Sequence, residues 1–207
     1  MKTKEKILNL ARQLFNEQGV HQVSAKTIAT HLNISDGNLR YHFRTKEDIV
    51  YGLYMRLVDR LNQEFEQRQT HTTLASMVQA LRFTFAQFNE YRFLLLDFTS
   101  VMRQYPTVRT HYQELHRARQ QQFSTAVRTL TETGVLRSDI DTSQYHRLAT
   151  HLTIISDAWL AHAEILYQTE VANSLMHFTH LTFSLLFPYL TEAGQQEYHA
   201  LVSRLDN

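Results

Sequence analysis

Helix-breaking residues are scarce in this sequence of 207 residues, which holds five glycines and two prolines. A β-sheet domain needs a turn about every 8–12 residues, usually marked by Gly, Pro or Asn-Gly. The long stretches between the breakers are rich in Leu, Gln, Arg, Glu, Ala and Phe, which favours helices. The sequence therefore predicts an all-α fold. The breakers are Gly19, Gly37, Gly52, Pro106, Gly134, Pro188 and Gly194.

Composition narrows the class of protein further. Hydrophobic residues make up 43% of the chain, which is too many for intrinsic disorder. No run approaches the roughly 18 apolar residues of a membrane span, so we expect no membrane partner. The start, MKTKEKILNLARQLF, lacks the apolar stretch of a secretory signal, and we expect a cytoplasmic protein. The absence of cysteine excludes disulfides, thiolate zinc sites and cysteine nucleophiles.

Positive charge is concentrated near the start of the chain. Residues 1–50 carry a net charge of +3, residues 51–207 carry −2, and all five lysines lie within the first 46 residues. A basic segment on a slightly acidic body is typical of a protein whose first part meets a polyanion. The same asymmetry also arises by chance. The charge distribution alone therefore does not decide between a polyanion-binding segment and a chance distribution.

Four helices are predicted in the first third of the chain. The first spans about 3–18, with an apolar face and Gly19 as a left-handed stop. The second begins after Ser24 as N-cap, and a break at 33–35 follows, with an Asn able to adopt the left-handed conformation. Ser35 or Asp36 caps a third short helix that runs through about Tyr41.

The remaining chain also reads as helices. Thr45 and Asp48 form a capping box for a fourth helix that continues to about Gln69. Pro106 suits the first turn of its helix, and Gly134 ends that helix before a loop at 134–142. The predicted segments are about 73–89, 91–104, 106–133, 143–168, 171–187 and 192–204.

The second and third helices, joined by three residues, form a helix-turn-helix pattern. A helix that enters the major groove, about 12 Å wide, must be short and must bury its inner face. The inner face here is Ile34, Leu39 and Phe43, packed on Ile28, Ala29 and Leu32. The outer face carries the hydrogen-bonding side chains Asn38, Arg40, Tyr41 and His42, while Gly37 lets the backbone approach DNA closely.

The segment from Ile7 to Ile49 resembles the DNA-binding domain of the TetR/AcrR family of bacterial one-component regulators. The match is almost without gaps over some 45 residues. The matching residues are Ile7, Ala11, Leu14, Phe15, Gly19, Ile28, Ala29, Asn33, Ile34, Ser35, Gly37, Leu39, Tyr41, His42, Phe43, Lys46, Glu47 and Ile49. The resemblance implies a three-helix DNA-binding domain over 1–47 and a larger helical domain over 48–207.

The resemblance also implies which residues contact DNA. Ser24 is matched to a hydroxyl on phosphate, and Lys26 can reach a phosphate or a base edge. His42 and Lys46 fall where the family holds the phosphate backbone, which fixes register while base contacts specify sequence. The groove-facing positions are Asp36, Gly37, Asn38, Arg40 and Tyr41.

Two of these positions, Arg40 and Asp36, depart from the family's pattern. The family usually has Tyr where Arg40 stands, and Arg can grip guanine O6 and N7 in a fork. Arg40 could instead fold back to a phosphate or pair with Asp36. Asp36 either accepts from cytosine N4 or caps its helix, and the cap is the favoured interpretation.

Family members sense small molecules in the helical body and dimerise through its last helices, and the resemblance implies both here. The apolar helices 143–168 and 171–187 are expected to form a four-helix interface with a second copy. For most of the aromatic residues in this region a plain core is the favoured interpretation, because a pocket also needs polar groups among them. The candidate ligand-binding residues are Phe88, Phe98, Met102, Tyr112, His116, Phe123, His151, Ile155 and Trp159.

Other classes of function have little support in the sequence. The twelve histidines lack the compact spacing of a zinc site, and no catalytic triad spacing or phosphate-binding loop is present. We therefore expect no metal, no cofactor and no enzyme activity. The favoured function is a homodimeric repressor of a palindromic operator, released by a small-molecule effector. A DNA-binding activator or a regulator without an effector is the alternative, and a helical enzyme or carrier is a third class.

Overall fold

The computed structural model describes residues 2–68, 72–167 and 171–205, and within these ranges the chain is almost entirely helical. The one β pairing among them is an isolated antiparallel bridge between Leu136 and Leu190. The all-α prediction is confirmed. The helices are α1 (Thr3–Gln18), α2 (Ala25–His31), α3 (Asp36–His42), α4 (Lys46–Arg68), α5 (Leu74–Glu90), α6 (Arg92–Leu96), α7 (Phe98–Gln104), α8 (Pro106–Glu132), α9 (Thr142–Leu166), α10 (Val171–Ser184) and α11 (Glu192–Leu205).

Local signals at helix ends act largely as the sequence predicts. Asn33, at φ 52°, follows the end of α2. Its N–H donates to Thr30 O (3.1 Å) and the N–H of Ile34 donates to Ala29 O (3.1 Å), which is a Schellman motif. Gly19 after α1 has the expected positive φ of 81°, but its ψ of 151° lies outside the left-handed helical region.

The start of α4 is fixed by a reciprocal capping box. The Thr45 N–H donates to Asp48 Oδ2 (2.8 Å) and the Asp48 N–H donates to Thr45 Oγ1 (3.2 Å), as predicted. Its expected end at Gln69 lies outside the described residues. Farther along α4, a Cβ on Gly52 would lie 3.3 Å from Leu8 Cδ2 and 3.4 Å from Phe43 Cε1, so α4 packs closely on α1 and on the end of α3.

The single helix predicted over 91–104 is wrong, because α6 and α7 are separated at Asp97 (φ −110°, ψ 29°). Phe93, Leu94 and Leu95 are all buried. Three consecutive residues span about 200° of a helix, so α6 is enclosed on most of its sides. In α7 Val101 alone is buried, so the two helices lie in different surroundings.

The helix predicted over 171–187 also ends earlier than expected. α10 stops at Ser184, and a short 3₁₀ helix, Phe187–Tyr189, forms around Pro188. Proline has no N–H and disfavours the α conformation in the residue before it, which accounts for the change. Of the helix predicted over 143–168, residue 168 lies outside the described residues.

Contacts divide the chain into two units. The first unit comprises Met1–Arg60 and Gln87–Tyr112, and the second comprises Leu61–Ala86 and Gln113–Asn207. The first unit contains the helix-turn-helix pair whole. None of the helices within the described ranges is both long and apolar enough to cross a bilayer. The core of the second unit includes Leu74, Val78, Leu130, Leu136, Tyr145, Leu148, Phe183, Leu186 and Leu190.

Candidate nucleic-acid interface

Two serine caps define the starts of α2 and α3. Ser24 Oγ accepts from the Thr27 N–H (3.0 Å) and also bonds Thr27 Oγ1 (2.8 Å). Ser35 Oγ accepts from the Asn38 N–H (3.1 Å). Each hydroxyl satisfies a backbone donor that the first turn leaves unpaired, so both short helices begin at fixed residues.

The preference for Asp36 as the helix cap is wrong. Ser35 is the N-cap of α3, and Asp36 is the first helical residue after it. A carboxylate in the first turn still interacts favourably with the helix dipole. The hydroxyl one residue earlier reaches the Asn38 N–H, which is why the cap does not fall to Asp36.

One face of α3 is buried and the opposite face is open. Leu39 is 1% exposed and Phe43, just after the helix, is 5% exposed, whereas Tyr41 is 85% exposed. The His42 ring is half-buried and packs edge-on against the Tyr41 ring at 5.1 Å between centroids. We call the exposed set Asp36, Gly37, Asn38, Arg40 and Tyr41 the reading face.

The two charged side chains of the reading face stay apart. Within the described part of the chain, neither Arg40 nor Asp36 forms an ion pair or a side-chain hydrogen bond. The alternative pairing of Arg40 with Asp36 is therefore not adopted in this structure. Arg40 presents its guanidinium donors to the outside, in a group that is planar and permanently charged.

Lys46 occupies a different environment from the other basic residues. Its Nζ donates to the backbone O of Val20, and it lies 5.9 Å from the centroid of the Phe15 ring. Burial lowers the pKa of Lys46 from its ordinary value. Lys46 thus ties the start of α4 to the turn after α1, while Ser24 and Lys26 are exposed on α2.

One further basic residue accompanies this face. Arg44 is exposed in the loop between α3 and α4. It is not among the sequence candidates, because the family resemblance assigns phosphate contacts to His42 and Lys46 on either side of it and none to this position. Its position between His42 and Lys46 was the signal that could have identified it.

The candidate ligand-binding residues do not all fall in one unit. Phe88, Phe98, Met102 and Tyr112 belong to the first unit, where the Phe98 and Tyr112 rings meet edge-on at 5.2 Å. The other candidates, His116, Phe123, His151, Ile155 and Trp159, belong to the second unit.

Within the second unit, the candidates differ in burial. The Trp159 ring stacks on Phe85 at 4.9 Å, and the side chain is 2% exposed. Its buried Nε1 has no hydrogen-bond partner among the described residues. Phe123 packs against the core, and His151 is exposed. Across the described ranges, no three His, Asp or Glu side chains are placed to share a metal ion.

A capped helix-turn-helix with a polar outer face, followed by a long helical region, defines a DNA-binding regulator of the helix-turn-helix class. Two family models match the chain. One, described as "Bacterial regulatory proteins, tetR family", covers residues 7–51, and one described as "Bacterial transcriptional repressor" covers residues 56–198. The chain belongs to the TetR family of bacterial transcriptional regulators, whose members are not enzymes.

Individual relatives agree with this assignment. The HTH-type transcriptional regulator UidR of Escherichia coli (strain K12) is 26% identical over 153 residues, which is 73% of this chain and 78% of UidR. The crystal structure of a TetR-family transcriptional regulator from Marinobacter aquaeolei VT8 is 26% identical, covers 99% of both chains and has a TM-score of 0.86.

A further solved structure shares the fold. It is a transcriptional regulator from Saccharomonospora viridis in complex with choline, 21% identical, with a TM-score of 0.71 over 91% of this chain and 98% of that one. Together these likenesses agree with the predicted order of a helix-turn-helix domain followed by a helical C-terminal domain.

The assignment of the α3 cap leads to a direct test. Ser35→Ala is expected to cost about 1 kcal/mol of the free energy of unfolding, because the Asn38 N–H loses its acceptor. Asp36→Ala, the neighbouring control, is expected to cost less, about 0.3–1 kcal/mol, since it removes a dipole interaction alone. Urea unfolding followed by circular dichroism measures both. A larger loss for Asp36→Ala than for Ser35→Ala would contradict the assigned cap.

Proposed function

We propose that this protein is a homodimeric repressor that binds a palindromic operator in the cytoplasm and is released by a small-molecule effector. The observation that carries the proposal is the reading face of α3, exposed on one side of a helix whose other side is buried. In this proposal residues 1–47 bind DNA, and residues 48–207 bind the effector and form the dimer. The family-model boundaries, at 51 and 56, support a division close to this point.

The DNA contacts divide into those that read bases and those that hold phosphates. Arg40 grips a guanine through O6 and N7, and Asp36 accepts from cytosine N4. Asn38 and Tyr41 add further contacts in the groove, and the missing side chain of Gly37 permits close approach. The phosphate contacts come from Ser24, Lys26, His42 and Lys46, to which we add Arg44.

Two of the proposed phosphate-binding side chains also make hydrogen bonds within the protein. Phosphate oxygens accept hydrogen bonds, so Ser24 Oγ meets a phosphate as a donor, with the Thr27 N–H and the Thr27 hydroxyl both donating to Ser24 Oγ. Lys46 Nζ has three donors and gives one to Val20 O, which leaves two for a phosphate. The same ammonium would then hold both the turn after α1 and the DNA backbone.

The dimer is supported by apolar side chains that the second unit leaves exposed. On α9, Ile154 is 58% exposed and Ile165 is 75% exposed, and on α10 Leu181 is 45% exposed. Eleven residues make about three helical turns, so Ile154 and Ile165 lie on the same side of α9, where exposed apolar side chains that form a patch mark an interaction site. A second copy that presents the same two helices would bury these side chains in an isologous four-helix interface.

The effector is expected among the aromatic residues of the helical region. Trp159 is the candidate with the clearest chemical signal, because its buried Nε1–H can donate to an acceptor on a ligand. His116 and Ile155 lie half-buried in the same unit, and the Phe98 and Tyr112 pair lies in the first unit. Binding of choline by the Saccharomonospora viridis relative supports a small-molecule ligand.

The link from effector to DNA is proposed to run along α4. This helix begins at Lys46, a phosphate contact, and continues as one element to Arg68. A tilt of α4 would change the separation of the two reading helices, which must match sites about 34–36 Å apart on one face of the duplex. A small displacement is enough, because a rigid dimer either fits both grooves or does not.

The proposed dimer predicts that a charged side chain placed in its interface prevents association. Sedimentation at micromolar concentration should give a dimer for the unaltered protein. Leu181→Glu should give a monomer, because a carboxylate would be buried in an apolar interface. Gln121→Glu on α8, an exposed position outside the proposed interface, should remain a dimer. A monomeric unaltered protein at this concentration would rule out the interface.

Arg40 and Lys46 should fail in different ways when truncated. Arg40→Ala should cost about 1–3 kcal/mol on the selected site and relax the preference at one guanine per half-site. Lys46→Ala should weaken all sequences alike and reduce the slope of log K against log salt by about one. Anisotropy titrations at several salt concentrations measure both quantities.

The control for these variants is Arg128→Ala, which removes an exposed arginine of α8 outside the helix-turn-helix. It should leave both the salt slope and the base preference unchanged. Lys46→Ala also loses the bond to Val20 O, so its unfolding must be measured separately. If Arg40→Ala keeps its full base preference in a binding-site selection, Arg40 does not read a base.

Effector release is tested by footprinting on the palindrome obtained from binding-site selection. We expect protection confined to one palindrome and lost on addition of one member of a small-molecule library that includes choline. Protection that persists with every compound would favour the alternative, a regulator that works without an effector. Activation of a reporter gene by the bound protein would identify an activator rather than a repressor.

A further inference from the structure

Asn16, near the end of α1, bonds to a distant part of the first unit. Its Nδ2 donates to the backbone O of Glu90 (2.9 Å), and its Oδ1 accepts from the N–H of Phe93 (3.1 Å). Glu90 is the last residue of α5, and Phe93 lies in the first turn of α6. One side chain therefore caps the end of one helix and the start of the next, and we call Glu90–Phe93 the junction.

The junction needs this cap from outside. Tyr91 is the N-cap residue of α6, but its side chain makes no capping hydrogen bond. The last carbonyls of α5 and the first N–H groups of α6 have no partners within their own helices. An amide side chain carries one donor group and one acceptor on the same plane, so Asn16 can satisfy both ends at once.

Charged and aromatic side chains strengthen the same attachment. Arg12, one turn before Asn16, pairs with the Glu90 carboxylate, which also accepts from Arg60 Nη1 of α4 at 2.6 Å. Both guanidinium groups lie over the buried Tyr91 ring, with Cζ at 5.3 and 5.8 Å from its centroid. A carboxylate between two guanidinium groups over one ring forms a network rather than an isolated surface pair.

The opposite face of α1 supports the helix-turn-helix. Ile7, Ala11 and Leu14 are all buried on that face, and α1 packs directly on α2. α1 therefore lies between the helix pair that reads DNA and the junction. The bonds made by Asn16 thus connect the helix that supports this pair to the end of α5 and the start of α6.

We propose that Asn16 is a positioning residue for operator binding, which sets the direction of the reading helix by fixing α1 to the junction of α5 and α6. This inference rests on the proposed dimer, because direction matters when two reading helices must fit one duplex. Asn16 itself touches no base. Its loss should leave base preference within a half-site intact and loosen the required separation between half-sites.

Half-site spacing gives a readout that a loss of stability alone would not move. Adding or removing one base pair shifts the half-sites by about 3.4 Å and rotates them by about 35°. A dimer whose reading helices are firmly oriented should lose affinity when the spacing changes. A dimer whose reading helices turn more freely should lose little affinity, whatever its unfolding temperature.

The experiment uses the full-length protein and a palindrome obtained by binding-site selection, in duplexes with spacers of the selected length and one base pair shorter or longer. Anisotropy titrations give affinities below the unfolding temperature of each variant. The unaltered protein should lose at least about tenfold in affinity when the spacer changes. Asn16→Ala should reduce that loss to about threefold or less, with the same bases preferred within each half-site.

Two further variants make the result decisive. Gln13→Ala, on the same helix, removes a side chain that bonds Glu17 of α1, and it should keep the unaltered spacing profile. Asn16→Asp keeps an acceptor for the Phe93 N–H and loses the donor to Glu90 O, and it should flatten the profile while preserving volume. If Asn16→Ala does not fold, the spacing profile of Asn16→Asp provides the test.

Either of two results would overturn the inference, and they differ. If the unaltered protein prefers one spacing and the folded Asn16 variants keep that preference, Asn16 does not position the reading helix and the proposed dimer stands. If the unaltered protein shows no spacing preference, the proposed dimer on a palindrome is itself wrong.

Discussion

The burial of one side of α3 is the constraint on which the rest of the structure depends. A helix of seven residues is not stable by itself in water, because so few hydrogen bonds cannot repay the cost of nucleation. Leu39 and Phe43 supply the missing stability by packing into the first unit. Their burial fixes the rotation of α3, so the exposed residues of this helix form the reading face.

Features encoded by neighbouring residues could be predicted from the sequence. Asn33 ends α2 through a Schellman turn, and Thr45 with Asp48 starts α4, because each motif is completed within a few residues. The assignment of the α3 cap went wrong within the same range, since Ser35 and Asp36 are both good N-cap residues. Their sequence alone does not say which hydroxyl or carboxylate reaches the Asn38 N–H.

Features that depend on distant contacts could not be predicted. Asn16 bonds residues 74 and 77 positions away, and nothing in its own neighbourhood indicates this. The break between α6 and α7 separates an enclosed helix from one that buries Val101 alone, a difference that depends on what surrounds each helix. The bond of Lys46 to Val20 O likewise brings together residues 26 positions apart, so a residue chosen as a phosphate contact also has a role inside the first unit.

The aromatic residues of the helical region were also only partly predictable from the sequence. Their number was plain from the sequence. The stacking of Trp159 on Phe85, and a Trp159 Nε1 that has no hydrogen-bond partner in the described part of the chain, could be seen in the fold alone. An aromatic ring that fills a core and one that lines a pocket have the same sequence signature. The exposed residues of α3 were easier to predict, because a seven-residue helix leaves few possible faces.

The central claim is that α3 reads guanine in the major groove at two symmetric positions, and methylation interference tests it directly. Dimethyl sulfate modifies guanine at N7 in the major groove and adenine at N3 in the minor groove. On the selected palindrome, methylation of one guanine in each half-site should prevent binding, because the proposed contact of Arg40 uses N7 and O6 of that base. Interference restricted to adenines, or present in one half-site alone, would contradict the account.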